Sequence, residues 1–175
     1  QIERRHGAPV RLAGRPLLMR ALLDAAREHG VPLLFDTPFD AGTEVAAYDL
    51  VVGADGINSR VRGRVAPREP RDLGATAWRG SCPGLVGGWG EIWGSGMFAG
   101  VTPAGQQRTN WYVAVDDRLA VDSADDLRAA LADWPPEIVA AVSATRPEDV
   151  LRHRLHDLPP LPTYVQGGFA LVGDA

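Results

Sequence analysis

With 175 residues, 18 Lys plus Arg against 22 Asp plus Glu and a net charge of −4, the chain has no electrostatic reason to bind nucleic acid or an anionic membrane surface. No apolar run approaches the roughly 18 residues that a membrane helix needs, and the single cysteine, Cys82, excludes an internal disulfide. The expectation is a globular, cytoplasmic chain of mixed α/β (α+β) class.

Residues 16–29 carry Leu17, Leu18, Ala21, Leu22 and Ala25 at helical spacing, with Pro16 suited to the first turn and Gly30 to the stop. Arg15, just before them, reads on its own as a flanking charge. Val31–Phe35 is predicted as a short apolar strand and 36–48 as a connection. The most informative run is DLVVGADGINSRVR, residues 49–62. Leu50, Val51 and Val52, followed by Gly53, predict a strand buried on both faces of a parallel sheet. It stops at Ala54-Asp55-Gly56, where small residues permit close approach and Gly56 can turn left-handed. Asn58 and Ser59 then offer N-cap oxygens to a short helix. Such a strand–turn–helix junction presents free backbone N–H groups to an anionic cofactor. An Asp-Gly hairpin is the alternative, but the preceding strand does not alternate as an exposed hairpin should.

From about residue 65 the character changes. Pro67 and Pro70 mark a boundary, and strand-like runs follow at Ala75–Arg79, Gly88–Trp93, Gly96–Val101 and Asn110–Val115, with Gln106-Gln107 as a hairpin loop. In the last run Trp111, Val113 and Val115 face one way, and Asn110, Tyr112 and Ala114 the other. Helices are predicted over Ala124–Trp134, introduced by Ser123, and over Glu137–Ala144, introduced by Pro135-Pro136. Residues 65–165 therefore read as an antiparallel sheet with helices at one end. Trp78, Trp89, Trp93 and Trp111 fall in this block and suit either packing or a dry aromatic pocket. Arg79 reads as a solvated strand terminus or as the partner of a substrate carboxylate or phenolate. Cys82 reads as a small strand-end residue. His153 and His156 would point to opposite faces of a strand, which is poor geometry for one metal, and no metal site is expected.

The 49–62 run resembles the Asp-Gly fingerprint of the FAD-dependent aromatic hydroxylases, the single-component, para-hydroxybenzoate hydroxylase-like flavoprotein monooxygenases. Asp49, the apolar triplet 50–52, Gly53, Ala54, Asp55, Gly56, Ser59, Val61 and Arg62 carry the match. FALVGDA at 169–175 resembles the Gly-Asp motif of that family, and RPLLMRALLDAA at 15–26 is similar to its Arg-x-x-Leu helix. The family opens with a strand, a GxGxxG turn and a helix, which have no counterpart here. Gly87-Gly88-Trp89-Gly90 lacks the spacing. The chain thus reads as an internal fragment of a longer flavoprotein. The 36–48 link is too short for the three-stranded meander that the family inserts there, and a natural deletion is one explanation.

The resemblance implies an incomplete FAD-binding, Rossmann-like parallel sheet domain over 1–64, a substrate domain over 65–165 laid on the flavin ring, and a return strand over 166–175. It implies FAD as cofactor, NAD(P)H and O2 as co-substrates, and hydroxylation of an aromatic or polyketide-like substrate through a C4a-hydroperoxyflavin. Arg15 would lie near the flavin, and Gly56 and Gly173 would let cofactor or chain pass closely. Asp174 would accept from a ribityl hydroxyl, and Asp55 would brace its loop. Arg62 would supply positive charge toward phosphate or NAD(P)H. Trp78, Arg79, Trp93 and Trp111 are the candidate substrate residues, and no catalytic acid or base can be named. The competing readings are a same-fold flavoprotein with other redox chemistry (reductase, dehydrogenase, halogenase) and a non-catalytic truncated remnant. The isolated chain is expected to be inactive, to hold no flavin tightly and to aggregate through an unpaired apolar edge.

Overall fold

The structure, a computed structural model, describes residues 5, 7, 12–40, 42–43, 45–84, 87, 90–105 and 107–175. In chain order the elements are α1 (Arg15–Glu28), β1 (Val51–Gly53), α2 (Arg62–Val65), β2 (Arg71–Pro83), β3 (Gly90–Trp93), β4 (Met97–Pro103), β5 (Arg108–Asp116), α3 (Ala124–Ala130), α4 (Pro136–Ser143), β6 (Leu151–Asp157), β7 (Val165–Gln166) and β8 (Phe169–Leu171). Two compact units contain them: Gln1–Leu33 with Ala75–His153, and Leu34–Gly74 with Arg154–Ala175. This partition differs from the 1–64, 65–165 and 166–175 blocks. The helix at 15–28 groups with the antiparallel sheet, and 154–165 groups with the return strand.

In the first unit, α1 starts with Pro16 in its first turn, and Gly30 follows it at φ +69°. Leu17, Leu18, Met19 and Leu22 are exposed and none of the helix is buried, so its apolar stripe has no cover among the described residues. The five-stranded sheet has the order β3-β4-β5-β2-β6, with β3/β4, β4/β5 and β5/β2 antiparallel. The core lies against one face, where Trp78, Cys82, Val101, Trp111 and Val113 meet Leu127, Leu131 and Ile138. Period-2 alternation sends Met97, Ala99 and Val101 inward and Phe98 outward along β4. Ser123 opens α3 with a capping box: its hydroxyl accepts from the Asp126 N–H while the Asp126 carboxylate accepts from the Ser123 N–H. That helix stops at Ala130 rather than at Trp134, and Trp134 packs against the core instead. The indole of Trp111 donates to Thr145 Oγ1 at 2.7 Å, and the Thr145 hydroxyl donates to the Ala141 carbonyl at 2.8 Å. This closed chain satisfies polar atoms that burial would otherwise penalise. Trp89 and Gln106, both singled out in the sequence, lie outside the described residues.

The second unit holds a three-stranded sheet, β1-β8-β7. β1 and β8 are parallel, with Val51 opposite Phe169, Val52 opposite Ala170 and Gly53 opposite Leu171, and β7 closes on β8 as a hairpin. Val61, Val65, Leu161, Phe169 and Leu171 form its core, with the Phe39 ring edge-on to Phe169 at 6.2 Å. Arg71 grips Asp157 through both carboxylate oxygens, and Arg154 pairs with Asp72. Two expectations fail. Val31–Phe35 is not a strand, and Val31, Leu34 and Phe35 are exposed. A parallel strand exists only through its ladder, and no described strand pairs with this segment. Nor is the 50–52 run buried on both faces: Leu50 and Val52 are about half exposed, because the face they share by strand parity is only partly covered by the described residues.

No helix among the described residues is long and apolar enough to cross a membrane. No group of three or more His, Cys, Asp or Glu among them could hold a metal ion, and His153 and His156 are exposed on β6.

Candidate cofactor and substrate sites

Because β1 and β8 are neighbouring parallel strands, the turns that follow them leave the same end of the sheet. One carries Asp55 and Gly56, the other Gly173 and Asp174. The carboxyl end of adjacent parallel strands is where open α/β sheets bind their ligands. Gly56 at φ +80° and Gly173 at φ +65° have backbone conformations that a side chain would strain. A Cβ at either would meet nothing within 4 Å, so the space beside both turns is open.

The two aspartates do different work. Asp55 is occupied within its own turn: it accepts from the Ser59 hydroxyl at 2.5 Å, the Arg60 N–H at 2.8 Å and the Val61 N–H at 3.3 Å. Partial burial pushes its carboxyl up, but these three donors outweigh that and hold it below its ordinary value. Ser59 Oγ in turn accepts from the Arg62 N–H at 3.0 Å, so Ser59, rather than Asn58, satisfies the first donor of α2, while Asp55 takes the two N–H groups that precede it. Asp174 is exposed, and its carboxylate has no hydrogen-bond partner among the described residues.

Arg62 points inward, with the residue only 3% exposed. Its Nε donates to the Arg68 carbonyl at 2.9 Å and its Nη2 to the Ile57 carbonyl at 2.7 Å, while its buried Nη1 has no partner among the described residues. Two of its nitrogens are thus spent bracing the loop, where the resemblance implied positive charge toward phosphate or NAD(P)H. Arg62 lines an open cavity of about 610 Å³ together with Phe39, Asn58, Arg60, Arg64 and Arg68. The exposed cations of this cavity are Arg60, Arg64 and Arg68, which sequence reasoning did not single out. Their recurrence every few residues from 60 to 68 was the available signal. A second cleft of about 440 Å³ lies against the β1 end, lined by Gly53, Asp55 and Asn58 among others. Arg15 belongs to the other unit and is exposed in the first turn of α1.

The four candidate substrate residues divide by strand parity. Trp78 and Trp111, 4% and 2% exposed, are inside the helix-covered core, where packing accounts for them. Arg152 stacks its guanidinium over the Trp78 ring at 5.2 Å. Arg79 and Trp93 lie on the opposite face. There Trp93, 73% exposed, stacks on Phe98 with ring centroids 5.0 Å apart, and Phe98 meets Tyr112 edge-on at 6.0 Å. The Tyr112 hydroxyl donates to Glu91 Oε1 at 2.5 Å. Burial first, and then the Glu91 carboxylate, push the phenol up to about 12. Phe98, Tyr112 and Glu91 were missed because only the register of β3, β4 and β5 brings them together. Cys82 is fully buried near the end of β2, and burial pushes its thiol up, away from thiolate reactivity.

A parallel strand pair whose two following turns carry glycines in left-handed conformations at one sheet end is the pattern of a nucleotide-cofactor site in an open α/β sheet. In sequence the chain is a homologue of FAD-dependent aromatic monooxygenases. It is 36% identical over 136 residues to the aurachin C monooxygenase/isomerase of Stigmatella aurantiaca, a match covering 73% of this chain and 36% of that one. To the 3-amino-4-hydroxybenzoate 2-monooxygenase of Streptomyces cremeus it is 31% identical over 195 residues, covering 99% of this chain and 49% of the relative. The crystal structure of Klebsiella pneumoniae HpxO complexed with FAD and uric acid aligns with a TM-score of 0.60 at 26% identity, over 71% of this chain and 35% of that one. The chain therefore spans between about a third and a half of the length of these proteins. No family model matches it.

Proposed function

We propose that this chain forms part of a FAD-dependent monooxygenase that uses NAD(P)H and O2 to hydroxylate a planar aromatic substrate. The observation that carries the proposal is the β1/β8 pairing, which brings the Asp55–Gly56 and Gly173–Asp174 turns to one sheet end. The residues present fit a flavin dinucleotide. Both glycine turns face open space, Asp174 is a free acceptor for a ribityl hydroxyl, and an arginine-lined cavity adjoins the first turn. FAD, once bound, supplies the redox chemistry that no side chain here can. The protein's own contribution is positional. Asp55 fixes the turn, Gly56 and Gly173 admit the cofactor, and Asp174 orients its sugar chain. Arg60, Arg64 and Arg68 offer charge to phosphate groups of FAD or NAD(P)H.

The substrate is assigned to the sheet face turned away from the helices, where Arg79 and Trp93 stand with Phe98 and Tyr112. An apolar, aromatic surface stacks a planar ring. The test is substrate-dependent NAD(P)H oxidation by the FAD-loaded, full-length protein under labelled O2. Incorporation of one labelled oxygen atom into a phenol or heteroaromatic supports the proposal. NAD(P)H oxidation without incorporation for every aromatic tried refutes it.

A further inference from the structure

Three observations on the open sheet face combine. First, Trp93, Phe98 and Tyr112 form a continuous aromatic row across β3, β4 and β5, ending at the highly exposed Trp93. Second, the Tyr112 ring lies directly over Gly100, where any Cβ would run into it, so the sequence reserves this spot for the phenol. Third, the phenol proton is committed to Glu91 Oε1, while Glu91 Oε2 has no partner among the described residues. Beside the stacking surface, the pair itself therefore offers a ligand acceptors: the phenol lone pairs and a carboxylate oxygen. Arg79 is the cross-strand neighbour of Tyr112 on β2, on the far side of β5 from Glu91, so it does not neutralise that corner.

We propose that the Glu91–Tyr112 pair is a specificity-determining element that selects planar, uncharged heteroaromatics carrying a ring N–H and rejects ring carboxylates. The proposal rests on the docking of substrate on this face argued above. An N–H laid against the row finds an acceptor in Glu91 Oε2. A carboxylate there meets like charge and an unpaired acceptor, and specificity follows from that penalty as much as from the favourable bond. Within the pair Glu91 carries the selectivity; the Tyr112 hydroxyl occupies Oε1 and leaves Oε2 to the ligand.

Calorimetric titration of the FAD-loaded protein with 2-quinolone, N-methyl-2-quinolone and 1-naphthoate tests this. The lactam is expected to bind at least about tenfold more tightly than the other two, the factor one hydrogen bond to a charged acceptor supplies. Glu91→Gln should erase the preference over 1-naphthoate, whereas Tyr112→Phe should keep the preference for N–H over N-methyl. Equal affinities for the three probes in the unaltered protein overturn the inference and leave the monooxygenase proposal standing. Binding of none of them overturns the inference together with the placement of substrate on this face. Equal loss of selectivity in both variants shows a merely structural pair and also overturns it.

Discussion

Replacing Asp55 by Ala removes the acceptor of three hydrogen bonds at the turn between β1 and α2. A hydrogen bond to a charged acceptor contributes about 1.5–3 kcal/mol when desolvated, and loss of a helix-capping oxygen costs about 0.5–2 kcal/mol. This carboxylate is exposed, so solvent screening places the net cost nearer the capping value, about 1–2 kcal/mol. That corresponds to roughly a 5- to 30-fold rise in local opening, which should appear as faster amide exchange at Arg60 and Val61 and little change along β5. Asp55→Asn keeps an acceptor without the charge and should lie between the two. The pH dependence has a definite sign. The folded-state value is lowered, so the carboxylate stabilises the turn fully above its ordinary 3.8 and loses that effect as pH falls through the lowered value. Exchange in the Ala variant and the unaltered protein should therefore converge in acid. Unchanged exchange at Arg60 and Val61 near neutral pH would refute the bracing role.

Asp174→Ala in the FAD-loaded protein should weaken flavin retention by about 10- to 100-fold with the thermal midpoint of the apoprotein unchanged, since the exposed carboxylate has no partner among the described residues. Flavin release by ultrafiltration measures this, and equal retention removes Asp174 from the site. Thr145→Val leaves the buried Trp111 indole without its acceptor and should cost about 1–3 kcal/mol in urea unfolding; a smaller effect would mean the indole finds another partner. Tyr112 should ionise near 12, well after ordinary tyrosines, in ultraviolet titration at 295 nm. The neutral phenol's contribution to stability is thus complete below the ordinary value of 10 and disappears as pH rises through 12. Gly100→Ala should displace the ring, return the phenol toward 10 and destabilise the sheet by about 1–3 kcal/mol. A phenol still titrating near 12 in that variant would show that the ring does not depend on Gly100.

What could be read from the sequence was local chemistry. The Asp55 turn, the Ser123 cap and the proline starts of α1 and α4 depend on neighbours within a few residues, and each is where its sequence signal lies. The inward set of Arg62 was not legible because a guanidinium at the start of a short helix gives no sign that two nearby carbonyls will claim it. Trp78 and Arg79 were grouped together although adjacent strand residues must face opposite ways, an inconsistency the period-2 rule exposes. The Tyr112–Glu91 pair lay hidden because its partners come from strands whose register no local signal sets. Its one trace was Gly100, a residue that weakens a strand unless something must pass close to it. Val31–Phe35 failed for the complementary reason: apolar composition supplies a strand's side chains but not its partner.

The register Val51↔Phe169 also orders events in time. A ribosome emits the first of these strands long before the second, and in between comes the whole antiparallel sheet with its own core. Until then Val51–Gly53 lacks its parallel partner, and the sheet end that carries both glycine turns is assembled only when residues 169–175 are translated. A pause or premature stop just before residue 169 would thus yield a folded sheet bearing an unzipped, sticky strand: a product for chaperones and proteases, with no second aspartate to complete the cofactor cradle.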